Sequence, residues 1–212
     1  MPKTDSYLIL GIGTEVGKTF LVENLCRLKP QVLAIKPIAS GFSKDDKTSD
    51  TSRILAALGL ENNKSNLDKI CPWRFAKPVS PHLAGKIDYK KLLEFCRQNI
   101  ASASKQKRLL FIESAGGVMT PITSNKTFLD LACDLKIPVL LVASNYLGAI
   151  SHTLCAVEVL KRRKVRVEKI IINENFSSQT KSKDLIKVIE NLAQIETLTL
   201  KQFLNPKNLR NV

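Results

Sequence analysis

Residues 11–19 of this chain read Gly-Ile-Gly-Thr-Glu-Val-Gly-Lys-Thr, the residue types of a phosphate-binding loop. Glycines let successive backbone N–H groups turn inward around phosphate oxygens. A helix starting at the end of the loop aims the positive end of its dipole at the same anion. In that setting Lys18 reaches the β- and γ-phosphates and the Thr19 hydroxyl ligates Mg²⁺. The general pattern Gly-x-x-x-x-Gly-Lys-Ser/Thr asks for glycine at position 12, where this chain has Ile12 between Gly11 and Gly13, so the loop is a variant. Its context supports the reading. The apolar run Tyr7-Leu8-Ile9-Leu10 precedes it as a strand, and Phe20, Leu21, Leu25 and Leu28 follow at helical spacing.

Further polar groups stand where other apolar runs end. Lys36, fixed by Pro37 and followed by Ile38-Ala39-Ser40-Gly41, is suited to bringing an ammonium to a phosphoryl group in transfer. Such catalysis is mainly positioning and charge neutralisation. Taken as a fragment, the same lysine reads as a surface residue at a strand end. Glu113 closes a strand and runs into Ser114-Ala115-Gly116-Gly117; a carboxylate there suits Mg²⁺, held directly or through water. Asp50, in Thr48-Ser49-Asp50-Thr51, offers a second metal carboxylate and equally a helix N-cap. Asn173 ends Lys169-Ile170-Ile171-Ile172 and offers an amide to a purine edge, or simply forms a turn. The two histidines, His82 and His152, have no metal-ligand spacing and do not form a catalytic pair. His82 follows Ser80-Pro81, where a helix start is expected.

The elements that must position these groups alternate along the chain. Strands are predicted near 6–10, 32–36, 108–113, 138–143 and 167–173, and helices near 18–28, 49–58, 88–103, 126–135, 149–163 and 180–192. Runs such as Leu109-Leu110-Phe111-Ile112 and Val139-Leu140-Leu141-Val142 are apolar throughout, as in a parallel sheet covered on both faces. The order implies an α/β, doubly wound, mostly parallel sheet of the phosphate-loop NTPase kind, in one domain spanning 1–212, with ligands at the carboxyl ends of the strands. The stretch 61–87, with Pro72, Pro78 and Pro81, reads as the one long irregular connection. The polar tail after Leu200 shows no clear pattern.

Composition excludes several classes. An apolar fraction of 44% supplies a buried core and argues against disorder. Five cysteines, odd in number and never in a Cys-x-x-Cys pair, argue against a disulfide framework or zinc site and for a cytoplasmic location. No signal peptide is visible, and no apolar run approaches the ~18–20 residues that span a bilayer. The net charge of +14 raises the question of nucleic acid. Yet the lysines are dispersed, and aromatic residues are not interleaved with them as a single-strand surface requires. The densest cluster, Lys161-Arg162-Arg163-Lys164, falls at a helix end, where cations favour the dipole. A solvated basic surface is the expectation, with neither nucleic acid nor membrane as partner.

Four motifs taken together resemble the dethiobiotin synthase family: residues 11–19, Lys36-Pro-Ile-Ala-Ser-Gly41, Phe75-Ala-Lys-Pro-Val-Ser-Pro-His82 and Glu113-Ser-Ala-Gly-Gly117. The likeness runs in order from residue 6 to about 175, and the Thr-Glu-Val before Gly-Lys-Thr is itself typical of that family. The resemblance implies a homodimeric ATP- and Mg²⁺-dependent ligase that carboxylates 7,8-diaminononanoate with CO₂ or bicarbonate and closes a cyclic urea. An amine captures CO₂ as a carbamate, the carbamate attacks the γ-phosphate of ATP, and the second amine closes the ring and expels phosphate. By matching position, the resemblance makes Lys36 and Lys18 catalytic. It gives the triphosphate to Gly13, Thr14, Glu15, Val16, Gly17, Lys18, Thr19 and Phe20, with Ser114, Ala115 and Gly116 beside it. Thr19, Asp50 and Glu113 organise Mg²⁺, and Asn173 and Glu174 meet the base. Thr14, Lys36, Ser40 and Gly116 touch the diamine and carbamate, Pro78 to His82 shape the entrance, and Leu147, Gly148 and Ser151 reach the partner subunit's substrate carboxylate.

The chain departs from the family at three places. Ser114 stands where glycine is usual, with an extra hydroxyl expected near the γ-phosphate. Ser151 stands where many members have asparagine. The family's Gly-x-x-Pro turn, which helps clamp the adenine, has no counterpart in Ile195-Glu-Thr-Leu-Thr-Leu200. Two other classes fit less well. Positioning ATPases that act on DNA or membrane place a second lysine early in the loop, and Gly11 to Glu15 contain none. Glutamine-dependent amide ligases need an added glutaminase domain that 212 residues do not accommodate.

Overall fold

Strands with no polar face need a layer on each side, and the computed structural model, which describes residues 6–29, 31–174 and 181–209, meets that need. Leu8, Ile9 and Leu10, whose side chains alternate between the two faces of the sheet, are all 0% exposed. The elements in chain order are β1 (Ser6–Gly11), α1 (Lys18–Leu28), β2 (Val32–Ile35), β3 (Ile38–Ser40), α2 (Asp50–Ala57), α3 (Lys64–Ile70), β4 (Trp73–Phe75), α4 (Pro81–Ala84) and α5 (Tyr89–Lys105). Then come β5 (Leu109–Gly117), α6 (Phe128–Leu135), β6 (Val139–Ser144), α7 (Ala149–Arg162), β7 (Val167–Asn173), α8 (Ser182–Ala193), β8 (Thr197–Thr199), α9 (Leu200–Phe203) and α10 (Pro206–Leu209).

Six strands form one sheet in the order β2-β5-β1-β6-β7-β8, and every pairing in it is parallel. From β1 the chain runs out to the edge at β2, returns to β5, and then crosses to β6 on the other side of β1. The switch in direction therefore opens a crevice at the carboxyl end of β1, where doubly wound sheets bind ligands. Register delivers the candidate site residues there. Ile35 pairs with Ile112, so Lys36 leaves β2 level with Glu113 on β5. On the other side of β5, Ile9 pairs with Glu113 but Gly11 pairs with Gly117, so residues 114–116 arch out of the ladder at the mouth of the crevice.

All five predicted strands and six predicted helices are present, with ends shifted by a few residues; position 180, the predicted start of the last helix, lies outside the described residues. Three regions differ from expectation. The stretch 61–87 is not irregular: it holds α3, β4 and α4, and β4 pairs with β3 in a second, two-stranded parallel sheet (Ile38 with Trp73, Ser40 with Phe75). Thr197–Thr199 adds a sixth strand to the main sheet, and the tail continues as α9 and α10. On α1 the buried stripe is Leu21, Val22, Leu25 and Cys26, whereas Phe20 and Leu28 are exposed. Among the described residues no helix is long and apolar enough to cross a membrane.

Candidate active site

The phosphate loop is held from three sides. Ile12 N–H donates to the Val142 carbonyl at 3.0 Å, and the Gly11 carbonyl accepts from Val118 N–H at 3.0 Å. A Cβ on Gly11 would lie 2.8 Å from the Gly13 carbonyl oxygen, whereas one on Gly13 would meet open space, so the tight packing falls on residue 11. At the loop's end Gly17 has φ 100°, and a Cβ there would lie 2.2 Å from Asn173 Nδ2. Asn173 is buried beneath the loop, its amide donating to the Val16 carbonyl at 3.3 Å. Lys18 follows at the start of α1, and its ammonium donates to the Gly13 carbonyl at 2.8 Å. Burial pulls its pKa down to about 8, against the opposing pull of Glu113.

Beside the loop lies a cluster of opposite charges. Lys36, 5% exposed, donates to Glu113 Oε1 at 2.7 Å and to Asp50 Oδ2. The Thr19 hydroxyl donates to the same Glu113 oxygen at 2.6 Å. Burial works against the charge on Lys36, but Glu113 and Asp50 outweigh it and raise its pKa above the ordinary lysine range. Burial likewise opposes the charge on Asp50, and Lys36 lowers its pKa regardless. Ser49, not Asp50, is the N-cap of α2; its side chain accepts from Ser52 N–H, and the Asp50 carboxylate is directed to Lys36 instead. Glu113 Oε2 is buried without a protein partner. A hydroxyl and two carboxylates, one with an unused oxygen, form a hard-oxygen set that fits Mg²⁺, a cation commonly held by one or two carboxylates together with substrate phosphates.

These groups line one cavity of about 760 Å³. Its floor is Thr14, Glu15, Gly17, Lys18, Thr19 and Phe20 from the loop and α1, with Glu113, Ala115 and Gly116 from β5. Lys36, Ser40 and Asp50 form one wall, and Pro78, Val79, Ser80 and Pro81 form the roof. The small β3–β4 sheet puts the roof there: beyond it Gly41 N–H donates to the Lys77 carbonyl at 3.0 Å and Phe42 N–H to the Phe75 carbonyl at 2.9 Å. Ser40 Oγ is buried without a partner. Arg53, Thr120 and Pro121 also line the cavity and were missed in the sequence. Arg53 stands one helical turn after Asp50, a spacing that was there to be read.

Other expected site residues lie elsewhere. Gly13 and Val16 shape the loop without lining the cavity. Ser114 is 0% exposed, outside the lining, with its hydroxyl unpartnered, so it is not the extra group at the phosphates that its position suggested. The β1–β5 register breaks directly after Glu113, whose carboxylate meets Thr19. Glu174 is exposed just past β7. Leu147, Gly148 and Ser151 line a separate cavity of about 530 Å³ around the start of α7, where Leu147 is 96% exposed. His82 lies outside the first cavity, its Nδ1 3.0 Å from Ser80 Oγ, and His152 Nδ1 is 2.7 Å from the Tyr146 hydroxyl.

A family model described as an AAA domain matches residues 5–207. Among curated proteins, the ATP-dependent dethiobiotin synthetase BioD of Phenylobacterium zucineum (strain HLK1) is 36% identical over 192 residues, covering 87% of this chain and 81% of that protein. The protein of the same name from Caulobacter sp. (strain K31) is 40% identical over 178 residues, covering 80% of this chain and 76% of its own length. Among solved structures, the MinD cell division protein of Aquifex aeolicus matches with TM-score 0.52 and 17% identity, covering 98% of this chain and 86% of that one. The signal recognition particle receptor FtsY of Elizabethkingia anophelis matches with TM-score 0.52 and 13% identity, over 93% and 58% of the two chains. At such identity these two speak for a shared phosphate-loop NTPase fold.

Proposed function

Because this chain belongs to the ATP-dependent dethiobiotin synthetases, we propose that its cavity joins 7,8-diaminononanoate and CO₂ at the expense of ATP, giving dethiobiotin, ADP and phosphate. The enzyme is a ligase that forms C–N bonds. The observation that carries the residue assignment is Lys36: a buried, charged lysine held by Glu113 and Asp50 between the phosphate loop and Ser40. An ammonium fixed there neutralises a carbamate and the phosphoryl group moving onto it, with no reorganisation at the moment of reaction.

Each wall then has its task. The loop amides from Thr14 to Phe20 and the Lys18 ammonium hold the triphosphate. Thr19, Glu113 and Asp50 would hold Mg²⁺, which when bound draws charge from the β- and γ-phosphoryl oxygens. Ser40, with its hydroxyl buried and uncommitted, orients the diamine or its carbamate beside Lys36. The roof at Pro78–Pro81 keeps water from the phosphorylated carbamate until the second amine closes the ring and expels phosphate. Leu147, Gly148 and Ser151 serve the substrate carboxylate of a partner subunit, with the exposed start of α7 as their platform, so the working unit is a homodimer. One domain carries the whole reaction, in the cytoplasm.

The test is fixation of labelled bicarbonate into an acid-stable cyclic urea, with ATP and the diamine each omitted in turn. Label incorporation that requires both is expected. ATP hydrolysis indifferent to the diamine, or stimulated by DNA, overturns the proposal.

A further inference from the structure

Arg53 is a cation on the cavity wall that the phosphate-loop motif and the strand-end residues do not account for. It stands on α2 one turn past Asp50, and α2 packs on α1, whose first-turn residues Thr19 and Phe20 line the same cavity. Its guanidinium is aimed by one carboxylate: Nε and Nη2 donate to Glu23 Oε2 at 3.0 and 2.5 Å. Glu23 is buried at 7% exposure, and its other oxygen is 2.6 Å from Arg27 Nη2, so both carboxylate oxygens are engaged. One edge of the guanidinium is thus fixed, and its remaining N–H bonds are left for another acceptor.

Charge supplies the reason for an acceptor in the cavity. Lys18 and Lys36 are cancelled by Asp50 and Glu113, and Glu15 on the floor adds a further negative charge. Without Arg53 the lining is therefore net negative, two cations against three carboxylates, and with it the charges balance. Arg53 and Arg27 share a single carboxylate, so Arg53 brings to the cavity a cation that none of the lining's own carboxylates engages. We infer that Arg53 is a phosphate-binding residue: Glu23 holds one edge of its guanidinium, and the other meets the polyphosphate over the first turn of α1. A planar fork already oriented by a carboxylate loses little freedom on binding a phosphate oxygen, unlike a loose lysine. The inference rests on the reading of this cavity as an ATP site and adds Glu23 to it as a positioning residue.

The test is calorimetric titration of MgATP into wild type, Arg53→Ala, Arg53→Lys and Glu23→Gln across a range of salt, with thermal midpoints in parallel. Arg53→Ala is expected to weaken MgATP binding about tenfold or more and to flatten its salt dependence. Arg53→Lys recovers part of the loss. Glu23→Gln, which keeps the arginine but loosens its aim, falls between wild type and Arg53→Ala. A folded Arg53→Ala protein with wild-type affinity and salt slope, changed only in its midpoint, overturns the inference and leaves Arg53 as a strut between α1 and α2. If the alanine variant does not fold, Arg53→Gln is read by the same criteria. Wild type that binds MgATP but fixes no carbon overturns the proposed function and leaves this comparison readable.

Discussion

The floor of the cavity and its roof are built on different principles. The floor comes from one contiguous loop and the end of the neighbouring strand, seated on the central sheet, and Lys18, Thr19 and Glu113 in it are all buried. The roof is carried by a two-stranded sheet of three residues each, a size marginal by itself, and Val79 in it is 42% exposed. Rigid packing suits a triphosphate whose reacting atom must be placed closely. A lightly fastened roof suits a substrate that must enter and a product that must leave.

The largest effect expected from breaking this division is at Lys36, which faces both halves. Lys36→Ala should lower the rate of label fixation about 10²–10³-fold while the folded protein still binds ATP, measured by calorimetry beside turnover. Unchanged turnover would remove its assigned role. A paired substitution compares floor and roof directly. Gly17→Ala meets φ 100° and the Asn173 amide 2.2 Å away, so it should cost about 1–3 kcal/mol of stability and most of the ATP affinity. Gly41→Ala meets φ 70° with Pro78 Cβ at 3.2 Å, and should raise the KM for the diamine several-fold with ATP binding little changed. Similar loss of ATP binding in both variants would mean that floor and roof are one unit.

The smallest effect sharpens the same comparison through thiol chemistry. Burial pushes Cys26, Cys71 and Cys96 up to about 12, so their reactive thiolates are scarce at pH 8. Cys155 is exposed and Cys133 partly so, and these two should label first with a thiol reagent. Among the buried three, Cys71 precedes β4 and the roof, while Cys26 sits on α1 under the floor. Labelling of Cys71 ahead of Cys26 is the expected order, and ATP should slow Cys26 further. The reverse order would contradict a roof that opens more readily than the floor.

How legible each part was in the sequence follows the same line. The five strands of the floor's sheet announce themselves because burial on both faces demands unbroken apolar runs, as in Val139–Val142. The elements β3, β4 and β8 have three residues each, too few to show a period, and exist because a neighbour supplies the pairing. Lys36, Glu113 and Asp50 were legible as charges at element ends, but their convergence needed the register of β2 on β5. In Thr48-Ser49-Asp50-Thr51 adjacent residue types all cap helices, and so short a pattern cannot choose Ser49 over Asp50. Ser114 follows Glu113 directly in the chain, but the break in register after Glu113 and the full burial of Ser114 belong to the fold. The place of Arg53 one turn past Asp50 is visible in the sequence, but its pairing with Glu23 on α1 emerges only from the fold.

The pairing of Ile35 with Ile112 also bears on how the chain finds its fold. A slip of one residue between β2 and β5 would bring Lys36 level with Ser114 and strand Glu113, 1% exposed, against the apolar Ile35. A buried carboxylate without its cation is destabilising by about 3–5 kcal/mol, enough to empty the misregistered state. The Lys36–Glu113 ion pair thus also penalises misalignment of the two strands, widening the energy gap between the native sheet and a one-residue slip.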